Sequence, residues 1–259
     1  MSTMSSITPA ALADLLIAAR REGRTVSAAG WETALQNAEQ AYAVQDAVAA
    51  ALGWFSDAPA RHWKSGGASR QATLTHAPLE PAGVRASPAA FSDLTLHTRG
   101  IEAEIALRLG EDVTPEVAKR LTPDDAASLV EAMTVSIEIV DSRWLEGSQA
   151  PALLRLADSQ SHGALALGAW VSFAARDWSA QRCEARVGAQ EPVVRTGTLS
   201  VGEPTWLLPI WLRHATRHGA TVAASTVVTT GTWVGVLPAQ RGDFVSAEFP
   251  GIGRTTLQL

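Results

Sequence analysis

A single cysteine, Cys183, stands in 259 residues, so no internal disulfide can form and no zinc site can be built from paired thiolates. The six histidines are dispersed and supply no zinc-ligand spacing of the usual kind. Apolar runs are short as well, each broken by charge or polarity well before the roughly 20 residues that span a bilayer, so no membrane partner is expected. The basic, apolar and small-residue order of a signal peptide is missing from the N-terminal stretch, and the expected compartment is the cytoplasm. Lys and Arg number 21 against 26 Asp and Glu, and they are scattered rather than gathered in a stripe, which excludes a nucleic-acid footprint. A local site for an anionic small molecule is compatible with that balance. Tyrosine occurs once while tryptophan occurs nine times; Trp144, Trp206, Trp211 and Trp233 are expected to pack in the core or between subunits.

What is present is enough apolar material, 46% of residues, to fill one large domain or two small ones. From about Thr8 to Gly53, "PAALADLLIAARREG" and "AEQAYAVQDAVAAAL" carry apolar residues at three and four spacing and read as two amphipathic helices, the first closed by Gly23. The stretch from "KSGGAS" to "RASPAAFS" reads as turns with short strands. Beyond Leu94, "LTLHTRGIEAEIALRL" predicts a strand or hairpin, "TPDDAASLVEAM" a short helix capped by Thr122, and "TVSIEIVD" a second strand. "PTWLLPIWLRHATRHG" predicts a helix closed by Gly219, bent by Pro209 or started late because of it. Glycine- and proline-punctuated β runs follow to the end. Helices first and a strand-rich body after them predict an α+β fold, with a helical region over 1–60 and a β-rich core over 61–259.

Within "IEAEIALRLG", Glu102 and Glu104 stand two apart on a predicted strand and therefore share a face. Glu138 lies on the next strand between Ile137 and Ile139, with Asp141 close behind. Any one of these acids suits a solvated strand face. Three of them converging in a partly desolvated site require raised pKa values or a divalent cation, and an all-oxygen set favours Mg²⁺ or Mn²⁺. His214 and His218 stand at i and i+4, a spacing that can hold a metal, but are expected on a solvent-facing helix end where the dipole favours imidazolium.

The blocks "AYAVQ", "HWKSGGAS", "IEAEIALRLGEDVT", "SIEIVDSRW", "LADSQSHGALALG" and "VVTTGTWVGVLPAQRGDFVSAEFPGIG" resemble, in this order, those of the fumarylacetoacetate hydrolase superfamily. The resemblance is closest to its branch of 2-keto-4-pentenoate hydratases and 2-oxo-3-hexenedioate (4-oxalocrotonate) decarboxylases. It implies a mixed β-roll or sandwich core behind an N-terminal helical region. It also implies Glu102, Glu104 and Glu138 as ligands of Mg²⁺ or Mn²⁺, Lys64 as the active-site lysine, and a 2-oxo or 2-hydroxydienoate acid as substrate. Asp158 and Ser161 match the family's Ala-Asp-Asn-(Ala/Gly)-Ser stretch, with Ser159 in place of Asn. Thr230, Gly231 and Thr232 match its turn facing the substrate carboxylate; an ordinary glycine turn between strands fits those residues equally.

Two departures accompany the match. The acidic doublet expected between Lys64 and Leu94 is absent, leaving Glu80 and Asp93, of which Glu80 is the candidate replacement in proton transfer. His62 stands where a small residue is common. No lid with a His-Glu pair precedes Glu102, so hydrolytic C–C cleavage ranks below water addition, and water addition to 2-hydroxypenta-2,4-dienoate in aromatic meta-cleavage catabolism ranks above loss of CO₂. By resemblance the chain is expected to form a homo-oligomer and to associate with a partner hydratase or decarboxylase. A non-catalytic 2-oxoacid-binding homologue or scaffold is the alternative that the lost doublet favours and the intact glutamates and Lys64 oppose.

Overall fold

The alternation between residues 100 and 140 becomes a pair of long antiparallel strands around which a computed structural model, describing residues 7–259, is organised. Helix α1 spans Pro9–Glu22 and α2 spans Ala38–Ala51; strands β1 His62–Gly66, β2 Thr75–Pro78, β3 Val84–Ala86 and β4 Ala89–Ala90 follow. The long strands are β5, Gly100–Leu109, and β6, Val130–Val140, with the short helices α3, Pro115–Arg120, and α4, Pro123–Ala126, between them. Next come α5, Ala152–Ala157, and strands β7 His162–Leu167, β8 Val171–Ser172, β9 Arg182–Val187 and β10 Val193–Thr196. Helix α6, Leu208–Ala215, precedes β11 Val227–Thr229, β12 Leu237–Pro238, β13 Phe244–Phe249 and β14 Gly253–Gln258. The first six residues of the expected helical region lie outside the described residues.

Nine strands form one curled sheet in the order β2-β1-β11-β5-β6-β7-β3, with β12 added to β5 and β8 to β6. Pairs β1/β11 and β3/β7 are parallel and the other pairs are antiparallel, so the sheet is mixed. A second sheet runs β10-β9-β13-β14-β4. Because side chains alternate across a strand, one face of the large sheet sends Ile101, Ile105, Val135, Ile137 and Ile139 into a core shared with Ala185, Val245, Ala247, Phe249 and Leu257 of the second sheet. The opposite face holds only a small apolar group around Leu79, Ala106 and Leu165, and leaves Glu102, Glu104 and Glu138 together. This is the expected α+β arrangement, a sandwich-like β core behind N-terminal helices.

The helices form where the local signals lie. Thr8 caps α1 by accepting from the Ala11 N–H, Asn37 caps α2 by accepting from Gln40, and Gly23 closes α1 in the left-handed region at φ 60°. Leu12, Leu16 and Ala19 of α1 pack with Ala41, Val44 and Val48 of α2 against Trp144, Leu154 and Leu156. Val26 straps this layer to the core, donating to the Arg143 carbonyl at 2.8 Å and accepting from Leu145 at 2.9 Å.

Three local expectations need correcting. Strand β6 begins at Val130, not Thr134, because Val130 and Met133 pair with Leu109 and Leu107, which cuts the predicted helix to α4 and a 3-10 turn. Pro209 delays the start of the later helix, one of the two outcomes expected of it: residues 204–207 form a 3-10 turn and α6 starts at Leu208 with proline in its first turn. That helix stops at Ala215, before Gly219. His218 therefore lies beyond it, and His214 packs among Tyr42, His76 and Trp63 rather than on a solvated helix end. Burial and the nearby His76 push its pKa down to about 2, so it is neutral.

Trp144 is fully buried and its indole N–H donates to the Leu154 carbonyl at 2.9 Å. Trp144→Ala should cost about 3–5 kcal/mol in urea unfolding, whereas the exposed neighbour change Leu145→Ala should stay within about 0.5 kcal/mol.

Candidate active site

Lys64 on β1, Thr229 on β11, Glu102 and Glu104 on β5, and Ser136 and Glu138 on β6 share the face of the large sheet turned away from its core. Glu102 and Glu138 are direct register partners in the β5/β6 pair. Each of Glu102, Glu104 and Glu138 places a carboxylate oxygen within 4.8 Å of the others. Like charges set opposite one another on a sheet repel, so this arrangement needs positive charge.

Part of that charge is Lys64. Its Nζ donates to Glu138 Oε1 at 2.5 Å and to the Gln160 carbonyl at 3.3 Å. Burial disfavours its charge, yet the attraction of Glu138, then of Glu102 and Glu104, raises its pKa above the usual lysine value. Glu138 moves the other way: burial disfavours its charge, but Lys64 and a hydrogen bond from His162 at 2.9 Å hold its pKa below normal. Burial lowers the pKa of His162 and keeps it neutral, so the proton is assigned to Nδ1, which donates to the carboxylate. Glu102 and Glu104 have their pKa values raised by burial and by the neighbouring carboxylates, Glu104 to about 7. Glu104 is held by the Thr229 hydroxyl and by the Gly231 N–H at 3.0 Å. Gly231 presents that N–H from a left-handed φ of 98°, a conformation suited to glycine.

The donor set fits a hard divalent cation on an observation within the site. Glu138 Oε2 is buried without a hydrogen-bond partner, although Oε1 of the same carboxylate receives two. An orphaned carboxylate oxygen beside two partly protonated carboxyls is what a cation ligand set looks like before its ion is added. Glu102, Glu104 and Glu138 would hold it.

Three cavities, of about 300, 510 and 570 Å³, adjoin this group, and all three are lined by Lys64, Glu102 and Gln160. Gly231 and Thr232 line the smallest; Ser161 and Arg155 line the two larger. Ser159, Gln160 and Ser161 all adopt left-handed backbone, with φ of 50°, 54° and 57°. Such conformations cost side-chain-bearing residues about 1–3 kcal/mol each and persist where the surroundings enforce them. Here they aim the Gln160 carbonyl at Lys64.

Other expected site residues have different placements. Asp158 does not line the cavities: it is fully buried behind them, accepting from Arg143 Nε at 2.7 Å and from Arg20 Nη2 at 3.0 Å, and it anchors the loop 159–161. Thr230 is also turned away, its hydroxyl donating to the Ile105 carbonyl at 2.8 Å. Glu80, the candidate replacement for the acidic doublet, precedes the 3-10 turn Pro81–Gly83 and lines a separate cavity with Arg20 and Arg143, away from Lys64. Sequence reasoning passed over His162, Thr229, Gln160 and Arg155. His162 and Gln160 fall inside the block that drew attention to Asp158, which was the one available signal.

Comparison with known proteins shows the chain's family and fold. The family model described as fumarylacetoacetate (FAA) hydrolase C-terminal matches residues 53–259. Among curated proteins, 2-keto-4-pentenoate hydratase 1 of Dechloromonas aromatica is 28% identical over 266 residues, covering 99% of this chain and 98% of the relative. Among solved structures, the 4-oxalocrotonate decarboxylase from Pseudomonas putida G7 complexed with calcium and acetate overlays with a TM-score of 0.82 at 18% identity, over 96% of each chain. The same enzyme complexed with magnesium and adipate gives 0.81, with the same identity and coverage. At that identity the overlays establish the fold.

Glu104 binds its proton more tightly in the folded protein than in the unfolded chain. That contribution to stability is fully present below the ordinary glutamate value and is lost as pH rises through about 7. The metal-free protein should thus lose stability between pH 5 and 8 (about the window set by these two values), and added Mg²⁺ should restore it. Glu104→Gln should flatten the pH dependence and weaken Mg²⁺ binding at least about tenfold in calorimetric titration. Equal affinity in variant and parent would mean that the three acids do not act together.

Proposed function

This chain belongs to the fumarylacetoacetate hydrolase family, and from that premise we propose that it is a metal-dependent lyase adding water to a 2-hydroxydienoate, of which 2-hydroxypenta-2,4-dienoate is the simplest member. The observation that carries this reading is the buried, partnerless Glu138 Oε2 grouped with Glu102, Glu104 and Lys64, of which Glu102 and Lys64 line a cavity of small-molecule size. The near full-length similarity to a curated 2-keto-4-pentenoate hydratase supports water addition. A divalent cation, Mg²⁺ or Mn²⁺, supplies Lewis-acid stabilisation of the negative charge that develops on the 2-oxygen of such an acid.

The protein's own groups do the rest. Lys64, charged and directed by Glu138 and the Gln160 carbonyl, presents an ammonium to the incoming carboxylate or 2-oxygen. Lys64 stands within hydrogen-bond reach of the carboxylate group and lines the cavity, where it could exchange a proton with a bound acid. Neutral His162 keeps Glu138 Oε1 occupied and leaves Oε2 as the atom that would ligate the cation. Ser161 and Thr232 line the cavity walls, the Thr232 hydroxyl donating to the Gly235 carbonyl of its own turn. With Glu80 facing another cavity, Lys64 is the proton-exchanging group of this site. The same residues serve loss of CO₂ from 2-oxo-3-hexenedioate, which proceeds through the same developing charge.

The deciding assay follows ultraviolet absorbance of 2-hydroxypenta-2,4-dienoate with Mg²⁺ or Mn²⁺, with and without EDTA, beside CO₂ release from 2-oxo-3-hexenedioate. Metal-dependent loss of the dienoate signal without CO₂ is the expected result. CO₂ from the diacid would replace hydration by decarboxylation, and inertness toward both with metal bound would favour the non-catalytic reading. Lys64→Ala should lower turnover about 10²–10⁴-fold while Mg²⁺ still binds; unchanged turnover would remove Lys64 from the mechanism.

A further inference from the structure

In the stretch 157–161 the family pattern has Ala or Gly where this chain has Gln160, so an amide side chain stands at a wall of the site that the pattern leaves bare. Gln160 lines all three cavities beside Lys64 and Glu102. The two ends of its amide differ. Nε2 donates to the Thr75 hydroxyl on β2, which fixes the side chain, whereas Oε1 is buried without a hydrogen-bond partner. The backbone is fixed as well: Gln160 is the middle residue of the left-handed run 159–161, Arg20 and Arg143 hold Asp158 just before it, and its carbonyl accepts from Lys64 at 3.3 Å. A buried acceptor left unpaired is costly, and one on a side chain so firmly held points to a donor that is not part of the protein.

Chemistry narrows that donor. An amide oxygen accepts and cannot donate, and a carboxylate or an oxo oxygen has no proton to offer it. Water and hydroxyl groups do. The reaction proposed above needs a water held beside the carbon chain. The acids lining these cavities, Glu102 and Glu104, belong to the cation set, and Glu80 lines a different cavity.

We infer that Gln160 holds the oxygen that is added: Oε1 accepts from the incoming water before addition and from the 4-hydroxyl of the product after it. The inference rests on reading the site as that of a hydratase and names the residue that places the water. After the dienol shifts to 2-oxopent-3-enoate, the water oxygen bonds to C4. The C3–C4 π pair moves toward the 2-oxygen and returns to C3 with a proton from Lys64, and Lys64 recovers one from the water that has bonded. Gln160 gives and takes no proton; it fixes the side from which the water approaches, and so selects one hand of the 4-hydroxyl.

The test is calorimetric titration of the Mg²⁺-loaded protein with each enantiomer of 4-hydroxy-2-oxopentanoate and with 2-oxopentanoate, which lacks only the hydroxyl. The parent should bind one enantiomer about 3- to 10-fold more tightly than 2-oxopentanoate, the range of one neutral hydrogen bond. Gln160→Ala keeps the backbone carbonyl on Lys64 and should erase that preference while 2-oxopentanoate binds as before. The same variant should lower kcat for hydration about 10- to 100-fold with little change in KM. Gln160→Met, which keeps the length and removes the amide, should behave alike and serves if the alanine variant fails to fold. Equal affinities in the parent, a preference that survives both variants, or an unchanged kcat would overturn the inference. Failure of the reaction itself shows separately: a hydroxyl preference that depends on Gln160 in a protein that turns over no dienoate removes the reaction and keeps the hydroxyl site.

Discussion

The repulsion among three carboxylates on one sheet face is the constraint to which the rest of the site answers. Glu102 and Glu138 face each other across the β5/β6 pair, and Glu104 stands one side-chain step along the same face. Keeping all three ionised in a buried place costs a few kcal/mol of folding free energy, and the raised pKa values of Glu102 and Glu104 express that cost. Lys64 relieves one carboxylate and His162 steadies it. The repulsion that Lys64 does not relieve is what a divalent cation held by the three acids would cancel.

The fold tolerates this because the two faces of the large sheet are separate environments. One face is covered by the second sheet and supplies an apolar core rich in Ile, Val and Phe. The other is free to carry charge, since the segment around α5 covers it incompletely and leaves the cavities lined by Lys64, Glu102 and Gln160. Stability and chemistry thus reside on opposite sides of the same strands, and β5 and β6 serve both through their two-residue period.

The fold class and the clustering of the three acids were legible because they are written at short range. A two-residue spacing puts Glu102 and Glu104 on one face, and the flanking isoleucines put Glu138 on the face opposite theirs. Lys64 was legible only through resemblance, since a lysine in a glycine-rich loop carries no local mark of its role. Asp158 was found but misread: its partners, Arg20 and Arg143, lie 138 and 15 residues away, and no local pattern shows that they enclose it. Glu80 was chosen because an acid was wanted in that interval, and chain position does not say which cavity a turn residue faces. Arg155 and Gln160 went unnamed for the same physical reason, because their significance is set by what the folded chain brings near them.

The Arg20–Asp158 ion pair joins the first helix to the loop that presents Gln160. The family model begins at residue 53, whereas this chain's strained loop leans on an arginine that precedes it. The stretch matched by that model starts after α2, but the mechanical unit that holds the loop starts within α1. A shortened chain cut at residue 53 would keep Glu102, Glu104, Glu138 and Lys64, yet would lose one of the two arginines that hold Asp158 against the backbone behind them.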